Sequence, residues 1–255
     1  MSKYIFMKTK IIFCILFLPF FAISQTLPAI QTDRPDQTEC PFIVPKDYFQ
    51  IENGFSFEKI NNAEFEIIAP TVLIKYGIND VFELRLISEL QIDIDQNSCV
   101  TGINPVLIGF KTKLFKEKGV LPTTSIIAHL LLPKIATARF QKTDFAPEFR
   151  FTMQHSIGQK QTLSYNLGSE WNGENSIPTY IYTLASGYSF SEKISGYVEF
   201  YGFLTKETSS DHRFDGGLCY LINPNHQIDI SAGIGLSDAS PKYFVGFGYS
   251  FKFGM

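Results

Sequence analysis

Charge is scarce in this 255-residue chain: Asp, Glu, Lys and Arg make up only 18%, with a formal net charge of −3. A nucleic-acid partner would call for a basic surface, so none is expected. Long apolar runs are missing beyond residue 24, where nothing approaches the roughly 20 uninterrupted apolar residues of a membrane-spanning helix. Any insertion into a bilayer is therefore by strands. Cysteine is limited to four residues, too few for a disulfide-stapled scaffold. No nucleophile motif, no His-Glu-x-x-His metal spacing and no phosphate-binding glycine loop is present. Catalytic residues, metal ligands and cofactors are accordingly not expected.

What is abundant is aromatic and apolar character, with 25 Phe, 12 Tyr and 45% apolar residues overall. That composition favours strand over helix. The N-terminus is a separate object: Lys8 and Lys10 precede an apolar run from Ile11 to Ile23, and Ala22-Ile23-Ser24 places small residues where a signal peptidase reads. Residues 1–24 are read as a cleaved signal peptide for export. Cys14 follows bulky Phe13 inside the run, which does not suit a lipid-anchoring site. Cleavage removes Lys3, Lys8 and Lys10 and no acid, taking the formal charge from −3 to −6. Cys40, Cys99 and Cys219 remain, an odd number, so at most one disulfide can form; whether Cys40 and Cys99 supply it is left open.

From Asp47 onward one pattern repeats: about ten residues of alternating apolar and polar positions, then turn residues. In Phe82 to Gln91, one face reads Phe, Leu, Leu, Ser, Leu and the other Glu, Arg, Ile, Glu, Gln. A strand between lipid and water needs this separation, whereas a buried sandwich strand would not gather three charges on one face. The same reading recurs at 145–153, 161–172 and 226–236. Twelve candidate strands follow, near 47–58, 64–76, 80–92, 103–115, 122–132, 145–157, 161–172, 178–190, 193–205, 211–222, 226–236 and 242–253. Their connectors alternate between tight and long, as in outer-membrane barrels. The expected fold is all-β, a closed antiparallel transmembrane β-barrel spanning 47–255, because an open sheet in hydrocarbon would leave edge groups unpaired. The last strand ends Gly248-x-x-Phe251-x-Phe253, which resembles the C-terminal signal read by the barrel-assembly machinery. Outer-membrane lipids and that machinery are the expected macromolecular partners.

The stretch before the barrel, residues 25–46, carries Thr32-Asp33-Arg34-Pro35-Asp36 and leads into Pro45-Lys46-Asp47-Tyr48-Phe49-Gln50-Ile51-Glu52. It resembles the start of an outer-membrane transporter family named for the meta-cleavage pathway of phenol degradation. The resemblance is close from Thr32 to Gly54, and Asp47 stands where that family often has Gly. It implies an outer-membrane barrel grouped with transporters, and no substrate. Read from the residues alone, Asp33, Arg34, Asp36 and Glu39 either fold into the barrel mouth as a plug or form a solvated leader whose charges pair locally for less than about 1 kcal/mol.

The strand phase predicts a lumen lined by carboxylates at Glu83, Glu89, Glu148, Glu199, Asp215 and Asp229. Cations at Arg85, Lys111, Lys113, Arg150 and Arg213, together with His129, share it. Gln50, Glu52, Glu170 and Lys252 share the phase. Unpaired charges are costly to bury, so cross-strand pairing is expected. Apolar residues Ile87, Leu107, Ile127, Leu131, Ile181 and Leu221 face the same way, which suggests an amphipathic passage for small aromatic or apolar solutes. Two other functions stand beside the channel: an outer-membrane hydrolase acting on lipid or peptide, and a soluble secreted β ligand-binding protein. A hydrolase would need Ser or Asp beside His; His155-Ser156 and Asp211-His212 are sequence neighbours, but neighbours on a strand point to opposite faces, so the first pair cannot cooperate without a bulge. An outer-membrane channel is the expected function.

Overall fold

A computed structural model describes residues 28–206 and 208–255; the expected signal peptide lies outside the described residues. Thirteen strands run in chain order: β1 (Tyr48–Lys59), β2 (Phe65–Asn79), β3 (Phe82–Ile94), β4 (Cys99–Ile103), β5 (Val106–Phe115), β6 (Thr123–Leu132), β7 (Ala146–Ile157), β8 (Gln161–Glu170), β9 (Thr179–Ser189), β10 (Ile194–Thr205), β11 (Asp211–Asn223), β12 (His226–Gly235) and β13 (Tyr243–Gly254). Each pairs antiparallel with its neighbours, and β1 pairs with β13 from Tyr48↔Gly254 to Lys59↔Tyr243. That last pairing closes the sheet and removes its edges.

The barrel has twelve staves, because β4 and β5 share one. Both pair with β3, β5 along Phe82–Ile87 and β4 along Leu90–Ile94. The interruption is Asn104-Pro105, where proline has no N–H to give the ladder. Pairing is rerouted there: Asn104 N donates to Glu89 O at 2.9 Å and Val106 N to Ile135 O at 3.1 Å. This stave begins at Cys99, inside what the sequence suggested was a connector, since five residues before a proline are too few to show alternation. At β2 a register shift between Ile68 and Thr71 accommodates Pro70 in the same way. The connector at 116–121, long for its end of the barrel, folds into a small hairpin through Lys118 and Leu121, with Gly119 at φ 61°.

Alternation sets the two faces. Leu84 and Leu86 are 46% and 38% exposed, while Glu83 and Arg85 between and beside them are 0% and 3%. Phe149, Ile230 and Phe247 continue the outward apolar belt. No helix among the described residues is long and apolar enough to cross a membrane. The tight turns, the first strand's start and the last strand's end share one rim, and the longer loops share the other. Cys40, Cys99 and Cys219 are all free thiols.

Candidate functional site

Residues 28–46 thread into the barrel from the tight-turn rim and return to it. Ile30 N donates to Pro224 O at 2.8 Å on the way in, and Asp47 N to Gly77 O at 2.9 Å on the way out. Asp47 has φ 62°, a left-handed conformation that Asp tolerates and Gly prefers. Between these points the segment hydrogen-bonds, among the described residues, to every stave except β11.

Asp33 is the centre of the contact and only 6% exposed. Its Oδ1 accepts from Lys111 Nζ at 2.8 Å, and its Oδ2 from Lys75 Nζ at 2.9 Å and Arg85 Nη1 at 2.8 Å. Burial alone would raise the Asp33 carboxyl, but Lys111, Lys75 and Arg85 outweigh it and hold the group well below the usual carboxylate range. The neighbouring backbone N–H groups of Asp33 and Arg34 donate to Glu52 Oε2 at 2.9 and 3.2 Å, and Glu52 also pairs with Lys75. Arg85 spreads its fork further, to Glu39 Oε2 at 2.6 Å and Glu83 Oε1 at 3.1 Å. Three cations thus meet several carboxylates inside the wall, the arrangement in which buried charge is tolerable.

Arg85 Nε also donates to His129 Nε2 at 3.1 Å. Arginine cannot accept, so the His129 proton sits on Nδ1, facing Glu148 Oε2 at 3.2 Å. Register places Gly109 between Arg85 and His129, and a Cβ there would stand 2.4 Å from the His129 ring. The chain of contacts ends at Arg150, which donates to Glu148 Oε1 at 2.9 Å and Gln37 O at 3.2 Å.

Across the lumen the contacts are less cationic. Thr38 donates to Thr183 at 2.6 Å or to Glu199, and Gln37 N to Glu199 Oε2 at 2.8 Å. Glu199 lies directly opposite Asp215 in the β10–β11 ladder. Burial, with Glu199 and Asp215 facing it, pushes the Asp36 carboxyl well above the usual range. Arg34 reaches Asp229 Oδ1 at 3.3 Å over the cross-strand pair Gly54 and Gly248. A Cβ on Gly54 would stand 2.1 Å from Arg34 Nη1, and one on Gly248 2.6 Å from Nε. Two absent side chains therefore make the seat for one guanidinium.

Of the sequence-derived lumen residues, Glu83, Arg85, Lys111, Arg150, Glu199 and Asp229 are buried against the segment, and His129 is held through Arg85. Glu89 and Glu148 line a vestibule above it. Arg213 is engaged instead by Glu58 and Asp211 near the long-loop rim, over Phe203 and Phe244. Lys113 is bound to Asp80 O at the opposite rim. Sequence reasoning missed Lys75, Asn166, Thr183 and Ser125. Lys75 was detectable, since Leu73, Lys75 and Gly77 alternate with outward Ile74 and Tyr76. The pairs His155-Ser156 and Asp211-His212 do not join: His155 meets Tyr165 at 3.2 Å, Ser156 meets Glu117, and His212 meets Tyr182 at 2.6 Å.

Twelve closed staves, apolar outside and charged within, define a transmembrane β-barrel of the outer-membrane fold class. The chain belongs to the family described as "Putative MetA-pathway of phenol degradation", which matches residues 32–253. Its fold is similar to that of an outer membrane channel from Pseudomonas putida F1, with a TM-score of 0.67 at 11% identity over 86% of this chain and 99% of that one. The NanC porin gives 0.54 at 8% identity over 80% and 100%, and the KdgM porin 0.52 at 13% over 80% and 99%. At such identities the likeness is one of fold. No curated protein matches at the level of sequence.

Proposed function

We propose that this barrel is an outer-membrane channel or transporter for small aromatic or apolar solutes, with residues 28–46 acting as a plug in its lumen. The observation that carries the reading is the vestibule above the segment, about 370 Å³, where Leu73, Ile87 and Leu107 share the wall with Arg85, Glu148 and Arg150. A charged wall interrupted by three apolar side chains suits a solute with an apolar body and one polar end. A smaller cavity of about 280 Å³ lies on the tight-turn side of the segment, so the segment stands between two compartments. Glu83, Lys111, Glu199, Asp215 and Asp229 form part of the solute path only when the segment leaves; Arg85, Glu89, His129, Glu148 and Arg150 line its outer half, and Lys113 and Arg213 its flanks. Export through a signal peptide at 1–24, and insertion guided by β13, complete the proposal.

The test is swelling of liposomes that carry the folded chain, in solutions of phenol, benzoate and glucose of equal osmolarity. Entry of the aromatic solutes faster than glucose supports the reading. Equal rates with protein-free liposomes for all three would remove it.

A further inference from the structure

The long-loop mouth contains a cavity of about 530 Å³ that shares Glu89, Leu107, Glu148 and Glu170 with the vestibule below. One wall is apolar: Pro105, Leu107, Leu131 and Phe140. Phe140 belongs to the loop after β6, yet its ring is folded in over Gly102, where a Cβ would lie 2.6 Å from Cδ2. Thr137 pins that loop to β4, its N–H donating to Ile103 O at 3.0 Å and its Oγ1 accepting from Ile103 N at 2.9 Å. The apolar wall is thus fixed by the fold.

The polar wall carries four carboxylates, Glu89, Asp93, Glu148 and Glu170, against two cations, Arg139 and Lys142. Register sets Glu148 directly opposite Glu170, and like charges so placed repel. Glu148 is compensated by Arg150 and His129. Glu170 has no hydrogen-bond or ion-pair partner among the described residues, although it faces this cavity. Glu89 accepts only from neutral donors, Thr71 Oγ1 at 3.3 Å and Asn104 Nδ2 at 3.2 Å. Of the two cations in the lining, Lys142 is turned to Glu174 at 3.7 Å and Arg139 is exposed on its turn. No group of three His, Cys, Asp or Glu among the described residues is arranged to hold a metal ion.

We infer that this cavity binds small amphipathic cations, the ammonium head among Glu89 and Glu170 and the apolar body against Leu107, Leu131 and Phe140. The head relieves the Glu148–Glu170 repulsion, and the Phe140 ring offers a face on which a cation is attracted. The inference deepens the channel reading, on which it rests for its physiological meaning, by naming the solute's charge.

Fluorine NMR titration of the folded chain in neutral detergent tests it with three probes of one shape: para-fluoro-phenethylammonium, para-fluoro-phenethyl alcohol and para-fluoro-phenylpropanoate. Saturable binding of the ammonium about tenfold tighter than the carboxylate is expected. The double variant Glu89→Gln, Glu170→Gln, checked for folding by heat-modifiable mobility, should lose most of that preference while still binding the alcohol. Equal affinities, tighter binding of the carboxylate, no saturable binding of any probe, or a preference unchanged in the variant would overturn the inference. Bilayer conductance of the same sample and of the chain lacking residues 26–44 separates the two readings: silence of both with preference for the ammonium contradicts the channel and leaves the site standing, and conductance without preference does the reverse.

Discussion

Asp33, in the segment before the first strand, accepts a hydrogen bond at 2.8 Å from Lys111 of β5, 78 positions further along the chain. The same carboxylate holds Lys75 and Arg85, so one acid on the segment bridges three cations on the wall. Removing it leaves the buried cluster one negative charge short, although Lys75 keeps Glu52 and Arg85 keeps Glu39 and Glu83, a loss on the order of 3–5 kcal/mol.

Asp33→Asn should therefore release the segment and leave the barrel closed, since the ladders do not involve this side chain. Cys40 reports on release: burial and the nearby Asp33 carboxylate push its thiol up, which keeps it unreactive while docked. In a background with Cys99→Ser and Cys219→Ser, its labelling rate should rise at least about tenfold in the variant. Labelling at the parental rate would show that Asp33 does not latch the segment.

Gly54→Ala puts a methyl group into the space of Arg34 and should weaken docking by about 1–3 kcal/mol. Arg34→Ala removes the clash, so the double variant should label Cys40 no faster than Arg34→Ala alone. Additive effects would mean that Gly54 serves the ladder and not the guanidinium.

Acid should act on the segment in two stages. The Asp36 carboxyl is raised on docking, so the docked form holds its proton more tightly and docking strengthens as pH falls from above that raised value toward the ordinary carboxylate pKa near about 4. The Asp33 carboxyl is lowered on docking; its contribution is complete above the ordinary value and is lost as pH falls through the depressed one. Cys40 labelling, normalised to the same thiol in urea, should pass through a minimum in acid. Asp36→Asn should flatten the limb on the higher-pH side of that minimum and keep the acid limb.

On the outer face, Ile230 is 57% exposed in mid-strand. Ile230→Arg should destabilise the barrel in lipid vesicles by about 2–4 kcal/mol, the cost of an arginine near the bilayer midplane. Urea unfolding at unchanged midpoint would contradict the placement of this face in hydrocarbon.

Much of this was readable from the sequence, because a barrel between lipid and lumen imposes a two-residue period on every strand. Glu83 and Arg85 against Leu84 and Leu86 are enough to orient β3. The route of the segment was not readable: Asp33-Arg34-Pro35-Asp36 has no period, and the partners that would distinguish a plug from a leader are 18 to 195 residues away. The role of Gly54 and Gly248 was not readable either, since only the fold reveals that a guanidinium occupies the vacancy they leave. Pro105 hid the start of its stave by stopping the alternation that would have announced β4.

Closure of the barrel by its own segment is decided by single-channel recording in planar bilayers, comparing the intact mature chain with one lacking residues 26–44. Small or infrequent openings are expected of the intact chain and larger, sustained conductance of the deletion, with both barrels showing the same heat-modifiable mobility. Identical conductance in the two, or silence in both, would contradict a channel closed by its own N-terminal segment.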